Sequence, residues 1–190
     1  MAPKIRTAPR AVVHVACIGL MAAGKSSVGR LVAKRLGWRF VDVDDEIEAR
    51  TGRTVAELAE IGGEDGYRPL ERAVVVETLA AAQPSVLAAP GGVALDPTAR
   101  AAIEADGVVA VYLRADPRTL AIRVAEDADH ERPLMGDDPL GALRGMFSDR
   151  DATYRALAEL EVQVDDRSHE EVAGLVLDAL AEMAVRPPRC

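Results

Sequence analysis

The sequence predicts a single three-layer α/β domain, a five-stranded parallel sheet with helices on both faces. Short β-rich apolar runs alternate with longer helical stretches along the chain. The first run leads straight into a glycine-rich loop and a helix. No repeat, low-complexity block or Pro/Gly/Ser linker divides the 190 residues, a length that buries a sufficient core as one unit.

Composition narrows the function classes. A net charge of −8 argues against a general nucleic-acid or membrane-surface binder, so any bound anion must be met by a local cluster of donors. The two cysteines, Cys17 in an apolar run and Cys190 at the end, do not suggest a disulfide framework and fit a reducing compartment. A cytoplasmic protein is expected. The apolar run Ala11 to Ile18 is short and leads into the loop, which marks a buried strand behind an N-terminal tail rather than a signal peptide or a membrane span.

The first strand, Val12–Ile18, ends at "GLMAAGKSS" (Gly19 to Ser27), and a helix is expected over Lys25–Leu36. Gly19 to Ser26 satisfy G-x-x-x-x-G-K-[ST] in the required strand–loop–helix context. Backbone N–H groups of such a loop and the following helix N-terminus surround a polyphosphate, with Lys25 reaching the β/γ oxygens and the Ser26 hydroxyl facing Mg²⁺.

Ligands in parallel sheets bind beyond the carboxyl ends of the strands, so the residues after each strand carry the functional reading. After the second strand, Phe40–Asp42, comes "VDVDDEIEARTG", with a helix over Asp44–Arg50. Asp42 and Asp44 are two apart and point the same way if the chain is still extended. One carboxylate could serve a metal and the other an acceptor hydroxyl; Asp44 could equally cap the helix. Trp38 and Phe40 are expected in the core.

A helix over Tyr67–Ala82 follows "GGEDGYRPLE", with Arg68 near its start and Glu71 three residues on, placed to fix the guanidinium or simply to form a surface ion pair. The third strand, Ser85–Ala89, ends at Pro90-Gly91-Gly92, a turn that lets backbone approach a ligand or merely turns. A helix over Pro97–Ala105, a strand over Val108–Leu113 and a helix over Pro117–Glu126 come next. Arg132 then lies in the charged, helix-poor "EDADHERPLMGDD", the kind of insertion that closes over nucleotide or remains a solvated loop. The last elements are a helix over Pro139–Asp149, a strand over Leu160–Val164 and a helix over His169–Met183, with Arg155 on or beside the earlier helix. His14, His130 and His169 lack metal-ligand spacing.

From about Val12 to Met183 the sequence resembles the shikimate kinase family. The matching segments are "GLMAAGKSSVGR", "DVDDEIEARTGR", "GEDGYRPLE", "PGG", "ERPLM" and "YRALA", in the family's order and close to its spacing. The resemblance implies a P-loop kinase fold like that of the nucleoside monophosphate kinases, with a mobile lid at about 127–138 and flexible tails at 1–11 and 184–190 of one kinase domain spanning 1–190. It implies transfer of the ATP γ-phosphate to the 3-hydroxyl of shikimate, with ATP and Mg²⁺ as cofactors and a monomer that engages neither nucleic acid nor membrane. By carry-over, Ala22, Ala23, Gly24, Lys25, Ser26 and Ser27 bind ATP, and Ser26 and Asp42 serve the metal. Asp44 holds the acceptor hydroxyls as positioner or base, Arg68 and Arg155 resemble the carboxylate-binding pair, Gly91 and Gly92 touch the acceptor, and Arg132 resembles the lid arginine.

Two positions depart from the family pattern. Ala22 stands where glycine is usual, so the loop must avoid positive φ there or accept strain. Pro90 stands for the first of three glycines and brings a fixed φ and no N–H, which raises the alternative of another acceptor, a carboxylate-bearing polyol or cyclitol such as a gluconate-like acid. A nucleotide-dependent switch or ATPase is the other class considered. Ser85–Ala89 ends without the acidic residue that such proteins use to support their metal, and no N-K-x-D motif occurs.

Overall fold

A computed structural model describes residues 4–5, 12–126 and 138–185. Six strands form one sheet. In chain order the elements are β1 (Lys4–Ile5), β2 (His14–Ile18), α1 (Lys25–Leu36), β3 (Arg39–Asp42), α2 (Val43–Thr51), α3 (Val55–Ala80), β4 (Ser85–Ala88), a 3₁₀ turn (Val93–Leu95), α4 (Pro97–Ile103), β5 (Val108–Arg114), α5 (Pro117–Glu126), α6 (Pro139–Leu157), β6 (Leu160–Gln163) and α7 (His169–Val185). The sheet order is β1-β6-β5-β2-β4-β3, and the five expected strands are all parallel.

The sixth strand adds to the five expected, inside the stretch read as a tail. Lys4 and Ile5 pair antiparallel with Glu161 and Leu160, adding a short edge beside β6. Four helices also begin earlier or end later than expected. Helix α2 begins at Val43 rather than Asp44, α6 continues past Asp149 to Leu157, and α7 reaches Val185. Helix α3 starts at Val55, well before Tyr67, because the Thr54–Glu57 capping box nucleates an earlier segment. That segment breaks at Gly63 (φ 60°, ψ −152°), so Arg68 does lie near the start of the second, longer stretch.

Central strands buried on both faces read as apolar runs rather than as alternation. All five residues of β2 are buried, with Val15 opposite both Val86 and Val109 and Cys17 opposite Ala88 and Val111. Helices α1 and α7 pack on each other over one face, and α3, α4 and α6 cover the other. His14 is buried at the start of β2, where Nε2 donates to the Ala81 carbonyl at 3.0 Å and Nδ1 accepts from the Ser85 hydroxyl at 2.9 Å. This gives the histidine a structural role.

From β2 the chain runs one way to β3 and β4 and then crosses to β5 and β6 on the other side. The crevice beyond the end of β2 is therefore the place where a ligand is admitted. Gly19 makes the exit. Its φ is 140°, and a Cβ there would lie 2.6 Å from the backbone oxygen of Leu113 on β5. Gly19→Ala is expected to lower unfolding free energy by about 3 kcal/mol or more, combining backbone strain with a contact that no side chain can relieve. Gly37→Ala, where φ is 68° and nothing lies within 4 Å, is the control and should cost only about 1 kcal/mol. Urea unfolding of the two variants reads the difference; equal losses would mean that the β5 contact does not constrain the loop.

Candidate active site

The loop from Gly19 to Gly24 connects the buried end of β2 to the first turn of α1. That turn has no acidic residue and Gly24 offers no side-chain cap, so its N–H groups and the helix dipole suit an anion. Lys25 Nζ donates to the Leu20 carbonyl at 2.8 Å, which folds the lysine back over the loop. Ser26 and Ser27 are exposed in the first turn, Ala23 is buried, and Gly24 has φ 89°. Ala22 adopts φ 58° and thus takes the strained alternative, the only non-glycine with positive φ among the described residues. Its carbonyl accepts from Arg123 Nη1 at 3.4 Å, and Arg123 Nη2 also donates to the Val164 carbonyl at 2.8 Å, tying the loop to the segment after β6.

The His169 ring lies 3.1 Å from where a Gly24 Cβ would stand. The sequence gives Arg123 no mark, and His169, noted there only as lacking metal-ligand spacing, is not tied to the loop. Both come from remote helices, and nothing local in "LAIRVAE" or "DRSHEE" signals that they meet the loop.

The Asp42–Asp44 pairing arises differently from the expected alternation. Asp42 is extended (φ −95°, ψ 128°), but the helix starts at Val43, and the Asp42 carboxylate caps it by accepting from the Asp44 N–H at 3.2 Å. Asp42 is therefore the cap, and Asp44 projects from the first helical turn. Asp44 is accessible at its surface. The protein packed about its carboxyl, with Asp42 adding like-charge repulsion, holds that carboxyl above the ordinary aspartate range, while Lys25 and Arg68 pull it down. Lys25, Asp42, Asp44 and Arg68 thus share one electrostatic site. Asp45 lies apart, exposed, at 3.8 Å from Arg30.

Arg68 is half-buried across the crevice. Nη1 donates to Glu71 at 2.9 Å, Nη2 donates to Glu64 at 3.1 Å, and the guanidinium stands 4.8 Å from the Tyr67 ring centre. A Cβ on Gly92 would come within 1.8 Å of Arg68 Nη1, so the guanidinium rests on backbone that only glycine leaves bare. The neighbouring Gly91 carbonyl accepts from the Tyr154 hydroxyl at 2.5 Å and from Arg150 Nη1 at 3.2 Å. Burial pushes the Tyr154 phenol up to about 12, which keeps it a donor at neutral pH.

Arg155, expected beside Arg68, faces elsewhere. Its guanidinium meets Asp151 at 3.5 Å and Glu161 on β6 at 3.4 Å. The arginine at the Gly91 turn is Arg150, which sequence reasoning missed. The signal was present, because Arg150 and the buried Tyr154 are four apart on one helical face, whereas Arg155 falls about 100° round from Tyr154. Asp151 sets this rotation by accepting from the Tyr112 hydroxyl at 2.9 Å and Arg114 Nε at 2.8 Å. Arg132 and the lid expected at 127–138 lie outside the described residues except for Asp138, whose side chain caps α6 by accepting from the Gly141 N–H at 2.8 Å.

Glu71 is 6 % exposed, and burial drives its carboxyl up to about 7 despite the pull of Arg68. Because the folded value exceeds that of the unfolded chain, the stability this group contributes is fully present below about pH 4.5 and is lost as pH rises through about 7. Between pH 4.5 and 8 the wild type should therefore lose about 2–3 kcal/mol relative to Glu71→Gln. Urea titrations of both proteins across that range measure it, and parallel pH profiles would refute the raised carboxyl.

Comparison with known proteins matches this geometry. The family model described as "Shikimate kinase" matches residues 21–181. A shikimate kinase of Symbiobacterium thermophilum is 40% identical over 174 residues, covering 91% of this chain and 99% of that protein. A shikimate kinase of Thiobacillus denitrificans is 43% identical over 159 residues, with 83% of each chain covered. Among solved structures, the shikimate kinase from Acinetobacter baumannii in complex with shikimate superposes with a TM-score of 0.85 at 30% identity, covering 92% of this chain and 96% of that one. Motif, sheet order and relatives agree, and the chain belongs to the shikimate kinase family.

Proposed function

We propose that the protein is an ATP-dependent shikimate kinase that converts shikimate to shikimate 3-phosphate. The observation that carries this reading is the shared turn Pro90–Gly92. Arg68 rests on Gly92 and Arg150 donates to Gly91, so two arginines border one cleft with Asp44 and Lys25. Paired planar guanidinium groups suit a carboxylate, and an aspartate accepts hydrogen bonds from a diol.

In the proposed reaction the 3-hydroxyl oxygen attacks the γ-phosphorus, its bond to the β–γ bridging oxygen breaks, and ADP departs. Asp44 accepts the hydrogen bond of the attacking hydroxyl, aims its lone pair and takes up its proton as the bond to phosphorus forms, releasing it afterwards to solvent; its raised affinity for a proton suits it to that role. Lys25 leaves the Leu20 carbonyl for the β/γ oxygens, where its charge offsets what develops in transfer. Gly24, Ser26 and Ser27 receive the phosphates at the α1 N-terminus.

Mg²⁺ bound to nucleotide takes most of its oxygens from phosphates and water, so one or two protein contacts suffice. The exposed Ser26 hydroxyl and the half-buried Asp42 carboxylate fit that demand, although no cluster of three His, Cys, Asp or Glu able to hold a metal occurs among the described residues. The ion would neutralise phosphate charge. Arg132 is assigned to the lid at 127–138 that shuts water out. The enzyme is read as one kinase domain, a monomer and cytoplasmic; no helix among the described residues is long and apolar enough to cross a membrane.

A coupled ADP-release assay with and without shikimate tests the reading. Release is expected to depend on shikimate, and Lys25→Met should cut it by on the order of 10²-fold or more with the fold intact. Shikimate-independent turnover would indicate an ATPase instead. Arg150→Leu should reduce kcat/KM for shikimate by roughly 30- to 1000-fold and leave the KM for ATP unchanged. Arg155→Leu, which removes ion pairs to Asp151 and Glu161 away from the Gly91 turn, should stay within about threefold of wild type. Reversed effects would return the carboxylate role to Arg155.

A further inference from the structure

Tyr67 is 3% exposed, and its hydroxyl is the only buried side-chain polar atom without a hydrogen-bond partner among the described residues. Removing a hydroxyl from water without a partner is unfavourable, and native structures place such groups where a ligand or water completes them. The surroundings of this hydroxyl indicate the ligand. Arg68 stacks over the Tyr67 ring at 4.8 Å, and the charges that act on the phenol are Arg68, Glu64, Glu71 and Arg150, which belong to the cleft bordered by the Gly91–Gly92 turn. Burial keeps the phenol protonated, so it is available as a donor.

We infer that the Tyr67 hydroxyl donates a hydrogen bond to the carboxylate of the bound acceptor, beside Arg68 and Arg150, and so sets selectivity for an acid. The inference rests on the kinase reading above and adds a neutral donor to it. Arginines alone attract any anion of suitable reach. A fixed phenol beside them selects a carboxylate whose second lone pair is correctly directed, and a site built around a hydrogen bond rejects a ligand unable to accept it.

Tyr67→Phe removes the oxygen and keeps the ring under Arg68. Steady-state ADP release should show KM for shikimate raised about tenfold or more, with kcat and the KM for ATP within about threefold of wild type. The melting temperature should be unchanged or higher, since an unpartnered buried hydroxyl is lost. Competition with shikimate methyl ester identifies the contacted group: the preference of wild type for shikimate over the ester should shrink about tenfold in Tyr67→Phe. An unchanged KM, or a lowered melting temperature with unchanged KM, would overturn the inference, and equal weakening of acid and ester would overturn the carboxylate contact. Absence of shikimate-dependent release in wild type would instead refute the kinase reading itself.

Discussion

Only a glycine fits where β2 leaves the sheet, and the site depends on that exit. The backbone oxygen of Leu113 presses on Gly19 from the adjacent strand, and φ at 140° turns the chain out of the sheet plane at once. Six residues later, at Lys25, the chain is helical, so the N–H groups of α1 open onto the crevice that the strand order creates. A slower turn would carry Lys25 away from Asp44. The strain at Ala22 belongs to the same constraint, because the loop keeps its compact path even where the side chain disfavours it, with Arg123 holding the Ala22 carbonyl from outside.

The second half of the site depends on burial of charge. A protein with net charge −8 repels anionic ligands at long range, so attraction must come from cations set inside a low-dielectric cleft. Glu71 serves this by holding Arg68 in one rotamer from a buried position. A buried carboxylate at the edge of protonation adds little to stability, but it fixes a guanidinium that would otherwise spend its conformational freedom on binding. Gly92 completes the arrangement by leaving room for that guanidinium, and Tyr154 and Asp151 set the rotation of α6 that presents Arg150.

Much of this was legible in the sequence, because its strongest signals are local. The five parallel strands, the phosphate loop and the Arg68–Glu71 pair follow from apolar runs, a motif and an i, i+3 spacing. Errors arose where local reading meets a choice between faces. The family match at "YRALA" points to Arg155, whereas helical geometry puts Arg150, four residues before Tyr154, on the tyrosine's face at the Gly91 turn. Asp42 and Asp44 do converge, but through a helix cap rather than strand alternation, since helix α2 starts one residue sooner. The Lys4–Ile5 edge, Arg123 and His169 depend on contacts with distant elements and leave no local mark. An unpartnered hydroxyl on Tyr67 likewise becomes visible only when the space around it is known.

Pro90 raised the question of acceptor identity, and the geometry of its turn answers it. A triple glycine would be needed if the turn used left-handed backbone, yet positive φ occurs at none of Pro90, Gly91 or Gly92. Gly92 sits at φ −82°, and its requirement is space for Arg68, not conformational freedom. The Pro90 carbonyl accepts from the Val93 N–H at 3.1 Å, so the turn closes through the oxygen that proline retains rather than the N–H that it lacks. Pro90 itself is buried and lines a small cavity together with Arg68, Glu71, Val75 and Gly92. The turn therefore needs neither an N–H nor left-handed backbone at this position, and the departure from glycine is compatible with an unchanged acceptor.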